Sequence, residues 1–273
     1  MNLRAAAVGA ALLAVPVALA AQYRAPRSAD YLFGADAWGT RALWVNPAGM
    51  GTVNEASVMA EVLVERNAAG DYALGQYTVG FNSRGFALGY RRDRFGGGVN
   101  GNVWRIGLAR GIANMSVGVA MSVYSGAQRE EDLDLGIRWR LRPPIEIFVA
   151  VEHLGQPTVR DSALRLAAVT GAAWSPLRGL VHLAAEARAT DAVVGGWVLA
   201  YRAGLRLATP GRRPLAAYGV IDLDDDFGVP RLVFGLSFGG DYQGVLMGGV
   251  GRTSGRNRLE TISLTGVASH RFP

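Results

Sequence analysis

The chain of 273 residues contains no cysteine, only three histidines and a charged fraction of only 18%. The absence of cysteine excludes a disulfide scaffold, an iron–sulfur cluster, a cysteine-ligated zinc site and a cysteine nucleophile. Three histidines leave little room for a histidine-based metal site, so we predict no metal and no cofactor. The net charge is +6, but the arginines are dispersed without a basic run, and we therefore predict no nucleic-acid partner.

Long apolar runs are also scarce, and the exception lies at the N-terminus. Arg4 precedes an apolar run over residues 5–20, which closes with Ala18-Leu19-Ala20, the small-x-small pattern that signal peptidase reads. We predict a secretory signal peptide over residues 1–20, cleaved after Ala20. A permanent membrane anchor is the alternative, but the run is short for a spanning helix of about 20 residues.

Glycine and apolar residues are plentiful, with 37 glycines and a hydrophobic fraction of 50%, which is too high for a disordered chain. The apolar residues alternate with polar ones. In residues 132–141, leucine, isoleucine and tryptophan hold the odd positions, whereas aspartate, glycine and arginine hold the even ones. A period of two predicts a β-strand with two different faces. Read in this way, the chain contains fourteen strand segments: 56–65, 72–81, 85–92, 102–110, 115–124, 132–141, 145–153, 163–174, 180–188, 197–208, 214–223, 231–239, 242–250 and 259–272.

Three features of these segments favour a transmembrane antiparallel β-barrel. Most have the length that a tilted strand needs to cross a bilayer, and their number is even. The gaps between them are alternately long and short, as in barrels with long extracellular loops and tight periplasmic turns. Aromatic residues fall near strand ends, as in the girdles of outer-membrane barrels: Tyr90, Trp104 and Trp197 at the outer rim, and Phe81, Phe86, Trp139, Trp174 and Phe272 at the inner rim. A secreted β-sandwich or β-propeller, with its apolar face inward, is the alternative.

The last segment ends in Phe272, and it resembles the terminal aromatic strand that the barrel-assembly machinery recognises. Pro273 follows the aromatic residue, which departs slightly from that pattern. We expect the chain to lie in the outer membrane of a Gram-negative (diderm) bacterium, in contact with outer-membrane lipid.

Residues before the first strand do not alternate, and they include Asn46-Pro47-Ala48-Gly49. Asn46 before Pro47 can cap a turn, and Gly49 permits a sharp reversal. This motif resembles the N-terminal hatch of the FadL-like family, which includes long-chain fatty acid transporters and PorV/PorQ-type proteins. The resemblance implies a fourteen-stranded barrel with the hatch plugging its lumen. It predicts three parts: a signal peptide over residues 1–20, a hatch over 21–54 and a barrel over 55–273.

If the apolar faces contact lipid, the lumen receives acidic and basic side chains together, and we predict an ion-paired interior. Some apolar residues also point inward or belong to the hatch, and they are candidates for contacting a greasy ligand in the lumen. Packing of the hatch is the alternative role for these residues: Trp38, Trp44, Met59, Leu63, Leu74 and Phe148.

The sequence contains few candidates for catalytic residues. His182 and Glu186 share one strand face, but a lone histidine–carboxylate pair in an ion-rich lumen predicts a structural role. His153 lies near a strand end, where a solvated position suffices. We therefore predict that the protein is not an enzyme.

Two functions remain open. The resemblance to fatty acid transporters implies passive uptake of hydrophobic, fatty-acid-like small molecules through the outer membrane. The predicted loops are short, however, and long loops help build the capture site of those transporters. The alternative is a non-transporting structural barrel, or a partner of secretion-system proteins as in the PorV/PorQ type.

Overall fold

The structure of the chain is a computed structural model. It describes residues 31–67, 69–94, 100–125, 129–142, 144–159, 162–192, 195–211, 213–240, 242–253 and 256–272. The predicted signal peptide and residues 21–30 of the predicted hatch lie outside this range. Among the described residues, no helix is long and apolar enough to cross a membrane.

The described residues form a closed antiparallel barrel of fourteen strands, which confirms the predicted fold class. Consecutive barrel strands pair with each other, and the last strand pairs with the first to close the ring. The strands, together with the short pair β8 and β9 outside the barrel, are β1 (Glu55–Arg66), β2 (Tyr72–Ser83), β3 (Phe86–Arg94), β4 (Asn100–Ile112), β5 (Met115–Ser125), β6 (Arg129–Arg142), β7 (Ile145–Glu152), β8 (Thr158–Val159), β9 (Ser162–Ala163), β10 (Ala167–Trp174), β11 (Val181–Asp191), β12 (Trp197–Ala208), β13 (Leu215–Leu223), β14 (Arg231–Gly239), β15 (Tyr242–Thr253) and β16 (Arg256–Arg271).

The structure corrects several predicted strand boundaries. The eighth predicted segment, 163–174, enters the barrel only at Ala167, because Ser162 and Ala163 pair with β8 in a small hairpin. The predicted loop over residues 251–258 is largely strand, since β15 and β16 continue to pair beyond the membrane-length segment. The contrast between long and short connections is therefore weaker than the sequence predicts.

On most barrel strands the two faces differ in exposure. On β1, Val58 and Val62 are 51% and 43% exposed, whereas the residues that follow them, Met59 and Leu63, are buried. The predicted girdle tryptophans Trp104, Trp139, Trp174 and Trp197 are all between 45% and 56% exposed. An apolar outer belt around a more polar interior is the arrangement that a lipid-facing barrel requires.

Residues 31–51, called here the inner segment, lie inside the ring of strands. They contain two 3-10 helices, Gly39–Trp44 and Pro47–Gly51. The first helix contacts β1 to β4, and the second contacts β4 to β6. Ala37, Ala42 and Leu43 are completely buried. The two helices of the inner segment therefore pack against the β1–β6 side of the wall. The residues before them reach the opposite side, where Gly34 donates to Glu186 of β11.

Inward-facing glycines make room for the inner segment. Each of the five strands β2 to β6 carries one, and a Cβ on any of them would collide with the inner segment: Gly80, Gly89, Gly107, Gly118 and Gly136. Gly80 pairs with Gly89, and Gly118 pairs with Gly136, so these residues form a belt across the wall. We call them the glycine belt. Part of the high glycine content thus serves close packing between the segment and the wall.

Candidate functional site

The motif Asn46-Pro47-Ala48-Gly49 builds the second turn of the inner segment. Asn46 is the N-cap of the Pro47–Gly51 helix, and its Oδ1 accepts a hydrogen bond from the Ala48 N–H at 3.1 Å. Its Nδ2 donates to the Gly34 carbonyl at 3.1 Å. Pro47 at the first helical position loses no backbone hydrogen bond there. Because Asn46 is completely buried, its side chain fixes the path of the segment rather than contacting solvent.

Ion pairs between nearby strands line the lumen, as the sequence predicts. The guanidinium of Arg138 pairs with Glu146 and also donates to the Ala37 carbonyl of the inner segment at 2.8 Å. Asp222 is completely buried and pairs with Arg202 at 2.7 Å. Further pairs among the described residues include Arg91–Asp93, Arg105–Asp134, Arg140–Glu146 and Arg188–Glu152. Charges of both signs compensate each other, which differs from the single-sign ring of an ion-selective pore.

A cavity of about 370 Å³ lies in the lumen near the tight turns that follow β6 and β10. The inner segment covers it with Leu32, Phe33 and Asp36. The wall contributes apolar side chains such as Ala184 and Val220 and polar ones such as Ser175, His182 and Arg206. The cavity therefore lies between the first residues of the inner segment and the wall opposite the two helices.

Two buried residues of the inner segment also line this cavity. The Tyr31 ring meets the Tyr218 ring edge to face at 5.9 Å. Burial raises the pKa of the Tyr31 phenol, and the nearby charge of Arg41 offsets part of that rise. The Arg41 guanidinium lies 4.9 Å from the centre of the Trp38 ring. This part of the cavity thus combines aromatic surface with a buried cation.

The six apolar ligand candidates do not come together. Trp38 lines the cavity, but the other five do not. Trp44 lies over Arg91 and Arg105, with ring-to-cation distances of 5.5 and 5.9 Å. Phe148 is buried and packs against Gly34. For these two residues the packing interpretation describes the observed contacts.

Met59 and Leu63 are likewise buried on the inward face of β1. The predicted inward orientation of Leu74 is wrong. The register of β1 and β2 shifts between Leu63 and Val64, so Leu74 pairs with Val64, on the outward face of β1. Sequence alternation cannot show such a β-bulge, because one extra residue reverses the faces beyond it.

His182 has partners that the sequence did not reveal. Its Nδ1 lies 2.5 Å from the Ser175 Oγ, and its Nε2 lies 2.5 Å from the Asp36 Oδ2. The predicted neighbour Glu186 instead accepts a hydrogen bond from the Gly34 N–H at 2.5 Å. Asp36 belongs to the inner segment, whose position no strand periodicity predicts, and this is why sequence reasoning missed the arrangement.

One cluster of possible metal ligands occurs among the described residues, formed by Asp132, Asp134 and His153. The sequence predicts a solvated His153, but the structure buries it. The His153 Nδ1 lies 2.6 Å from the Asp132 Oδ2. Asp134 pairs with Arg105, and Asp132 accepts the Leu133 N–H at 2.8 Å. Protein donors thus already satisfy the carboxylates, and the cluster is explained as a hydrogen-bonded network.

No family model and no curated protein matches this sequence. Solved structures share its fold. The toluene transporter TbuX of Ralstonia pickettii aligns with a TM-score of 0.60 and 12% identity, over 91% of this chain and 98% of that chain. The monoaromatic hydrocarbon channel CymD aligns with a TM-score of 0.58 and 10% identity, over 86% and 93%.

A bacterial polysaccharide outer-membrane secretin also aligns, with a TM-score of 0.57 and 9% identity, over 81% of this chain and 99% of that chain. The resemblance to hydrophobic-compound channels is thus confirmed at the level of the fold. These neighbours are channels and a secretin rather than enzymes.

Proposed function

We propose that the protein is an outer-membrane channel for passive uptake of hydrophobic small molecules. The observation that carries this proposal is the cavity between the inner segment and the β10–β13 wall, where Leu32, Phe33, Ala184 and Val220 offer apolar surface inside an otherwise ion-paired lumen. Ligand pockets are typically concave and mostly apolar, with a few polar groups that fix orientation. Two proteins with this barrel fold support the proposal: TbuX is by name a toluene transporter, and CymD is by name a monoaromatic hydrocarbon channel.

The proposal places the barrel in the outer membrane of a diderm bacterium after removal of residues 1–20. Phe272 is the proposed recognition point for the barrel-assembly machinery. Its backbone N–H donates to the Asn54 carbonyl at 2.9 Å, so the C-terminus closes against the start of β1. The exposed apolar belt of the strands would face outer-membrane lipid.

The volume of the cavity limits the size of the hydrophobic compound that it can hold. A volume of about 370 Å³ suits a monoaromatic compound or a short acyl chain better than an extended long-chain fatty acid. We therefore propose small hydrophobic compounds as the cargo and treat fatty-acid-like molecules as the longer end of the range.

A second function is favoured by the close packing of the inner segment. The glycine belt and the Arg138 contact to Ala37 hold the segment firmly inside the barrel. A lumen closed in this way suits a non-transporting structural barrel or a partner of secretion-system proteins. The two functions differ in whether the cavity admits a compound.

The test is uptake of radiolabelled toluene and octanoate by diderm cells that lack their own channels for hydrophobic compounds and express this protein. Ala184→Trp should fill the cavity and reduce uptake to the level of cells without the protein. Leu236→Trp adds the same ring at an exposed position that is 63% accessible, and it should leave uptake unchanged. Uptake that is absent with the unaltered protein, despite folded barrels in the membrane, would favour the structural or secretion-partner function.

A further inference from the structure

Ser175, His182 and Asp36 form a continuous hydrogen-bonded array that passage of a compound does not require. Both distances are 2.5 Å, from Ser175 Oγ to His182 Nδ1 and from His182 Nε2 to Asp36 Oδ2. Ser175 lies in the turn directly after β10, His182 lies in β11, and Asp36 lies in the inner segment. We propose that they form a hydrolytic triad for esters of short apolar acyl groups.

The array assigns a complementary role to each nitrogen of His182. When Nε2–H donates to the Asp36 carboxylate, Nδ1 carries the lone pair that accepts the Ser175 hydroxyl proton. Serine proteases use the two nitrogens in the opposite order, but a triad is recognised by the geometry and roles of its members. The His182 side chain is 11% exposed and that of Asp36 is 23% exposed, so the imidazole is held by its partners and is not freely solvated.

All three residues line the cavity of about 370 Å³, which supplies the room for a substrate. Leu32, Phe33 and Val220 line the same space and would receive an apolar acyl chain. The available volume limits the acyl chain to a short one. The polar carbonyl would then lie toward the turn after β10, where Ser175 is located.

Arg206 is placed to stabilise negative charge in the reaction. Arg206 of β12 stands directly opposite His182 of β11 in the register of the two paired strands. Its side chain also lines the cavity. Its buried Nε has no hydrogen-bond partner among the described residues. A guanidinium in this position can meet the oxyanion of a tetrahedral intermediate.

The chemistry is complete with water as the co-reactant. Ser175 Oγ attacks the ester carbonyl carbon while its proton passes to His182 Nδ1, and Asp36 stabilises the resulting imidazolium. Collapse of the tetrahedral intermediate breaks the bond to the alkoxy group, which leaves as the alcohol with that proton. Water then gives a proton to His182, attacks the acyl-serine and releases the carboxylic acid and the free Ser175 hydroxyl.

A purely structural array would tie the inner segment to the wall without any reactivity at Ser175. Serine reactivity therefore separates the two roles. Purified, folded protein in detergent would be incubated with p-nitrophenyl esters of two to eight acyl carbons and, separately, with a fluorophosphonate probe. We expect ester hydrolysis and a covalent adduct on Ser175, identified by peptide mass spectrometry.

Ser175→Ala and Asp36→Asn should each lower the hydrolysis rate by about 100-fold or more. The matched control is Ser116→Ala, because Ser116 is a buried serine whose hydroxyl has no hydrogen-bond partner among the described residues. It should retain full hydrolysis. Heat-modifiable migration in gels would verify that every variant is folded.

Absence of hydrolysis and of labelling in folded protein would overturn the proposal. Hydrolysis that persists in Ser175→Ala, or that is lost equally in Ser116→Ala, would also overturn it. The proposal concerns reactivity alone and stands independently of uptake through the barrel.

Discussion

Gly136 in the barrel wall faces Asn46 of the inner segment so closely that a Cβ on Gly136 would overlap the Asn46 Oδ1. The same Oδ1 accepts a hydrogen bond from the Ala48 N–H. The barrel wall at Gly136 therefore packs directly against the capped turn of the Asn46–Gly49 motif. This contact links the alternating strands, which the sequence displays, to a segment without periodicity.

Gly136→Val should displace the inner segment. The added side chain overlaps Asn46, and overpacking of this kind costs about 1–3 kcal/mol. We expect a lower unfolding midpoint in urea titrations of the protein in lipid vesicles, with faster protease cleavage within residues 31–51. Gly266→Ala is the control, because a Cβ there meets no atom within 4 Å. Equal stability of both variants would contradict the proposed fit.

Asn46→Ala should weaken the inner segment without affecting strand pairing. It removes the cap on Ala48 and the bond to the Gly34 carbonyl, and loss of an N-cap typically costs about 0.5–2 kcal/mol. Hydrogen exchange should accelerate for the Ala48 and Gly49 amides, while exchange at β10 to β13 stays unchanged. An unaltered exchange rate at Ala48 would show that the cap does not stabilise this turn.

Arg138→Met should destabilise the barrel strongly. It leaves the partly buried Glu146 without its closest guanidinium and removes the donor to the Ala37 carbonyl. Breaking a buried pair from one side costs about 3–5 kcal/mol. We expect a cost at the lower end of that range, because the half-exposed Arg140 still pairs with Glu146 at 3.0 Å. Arg129→Met is the control, because the Arg129–Glu131 pair at 3.5 Å is solvent-exposed and such pairs contribute about 0–1 kcal/mol. Urea unfolding followed by tryptophan fluorescence would compare the two variants.

Phe272→Ala should reduce the amount of folded barrel that reaches the outer membrane. The Phe272 ring packs under the Arg84 guanidinium at 4.4 Å and against the His270 ring at 5.6 Å, near the closure of β1 and β16. Membrane fractionation with heat-modifiable gels would measure the yield. Phe238→Ala removes an exposed ring at the end of another strand and should assemble normally. Normal assembly of Phe272→Ala would contradict recognition through this residue.

The sequence by itself determined the barrel. Strand faces in a sheet repeat every two residues, so residues 132–141 reveal their inward and outward sets without knowledge of any neighbour. The polar identity of the inward set and the length of the strands then indicate a lipid-facing exterior. The pairing of Arg and Asp or Glu inside the lumen also follows, since charges of both signs share one enclosed face.

Only the tertiary structure decided what the inner segment contacts. The role of the glycine belt depends on which segment lies against the wall, and strand alternation carries no information about that segment. Leu74 faces outward because a β-bulge reverses the alternation of faces in β2. The sequence of one strand does not show its register with the neighbouring strand, so the bulge could not be predicted. The array of Ser175, His182 and Asp36 joins residues separated by up to 146 positions. Such contacts form only when the inner segment lies inside the folded barrel, and the local periodicity of a strand does not reveal them.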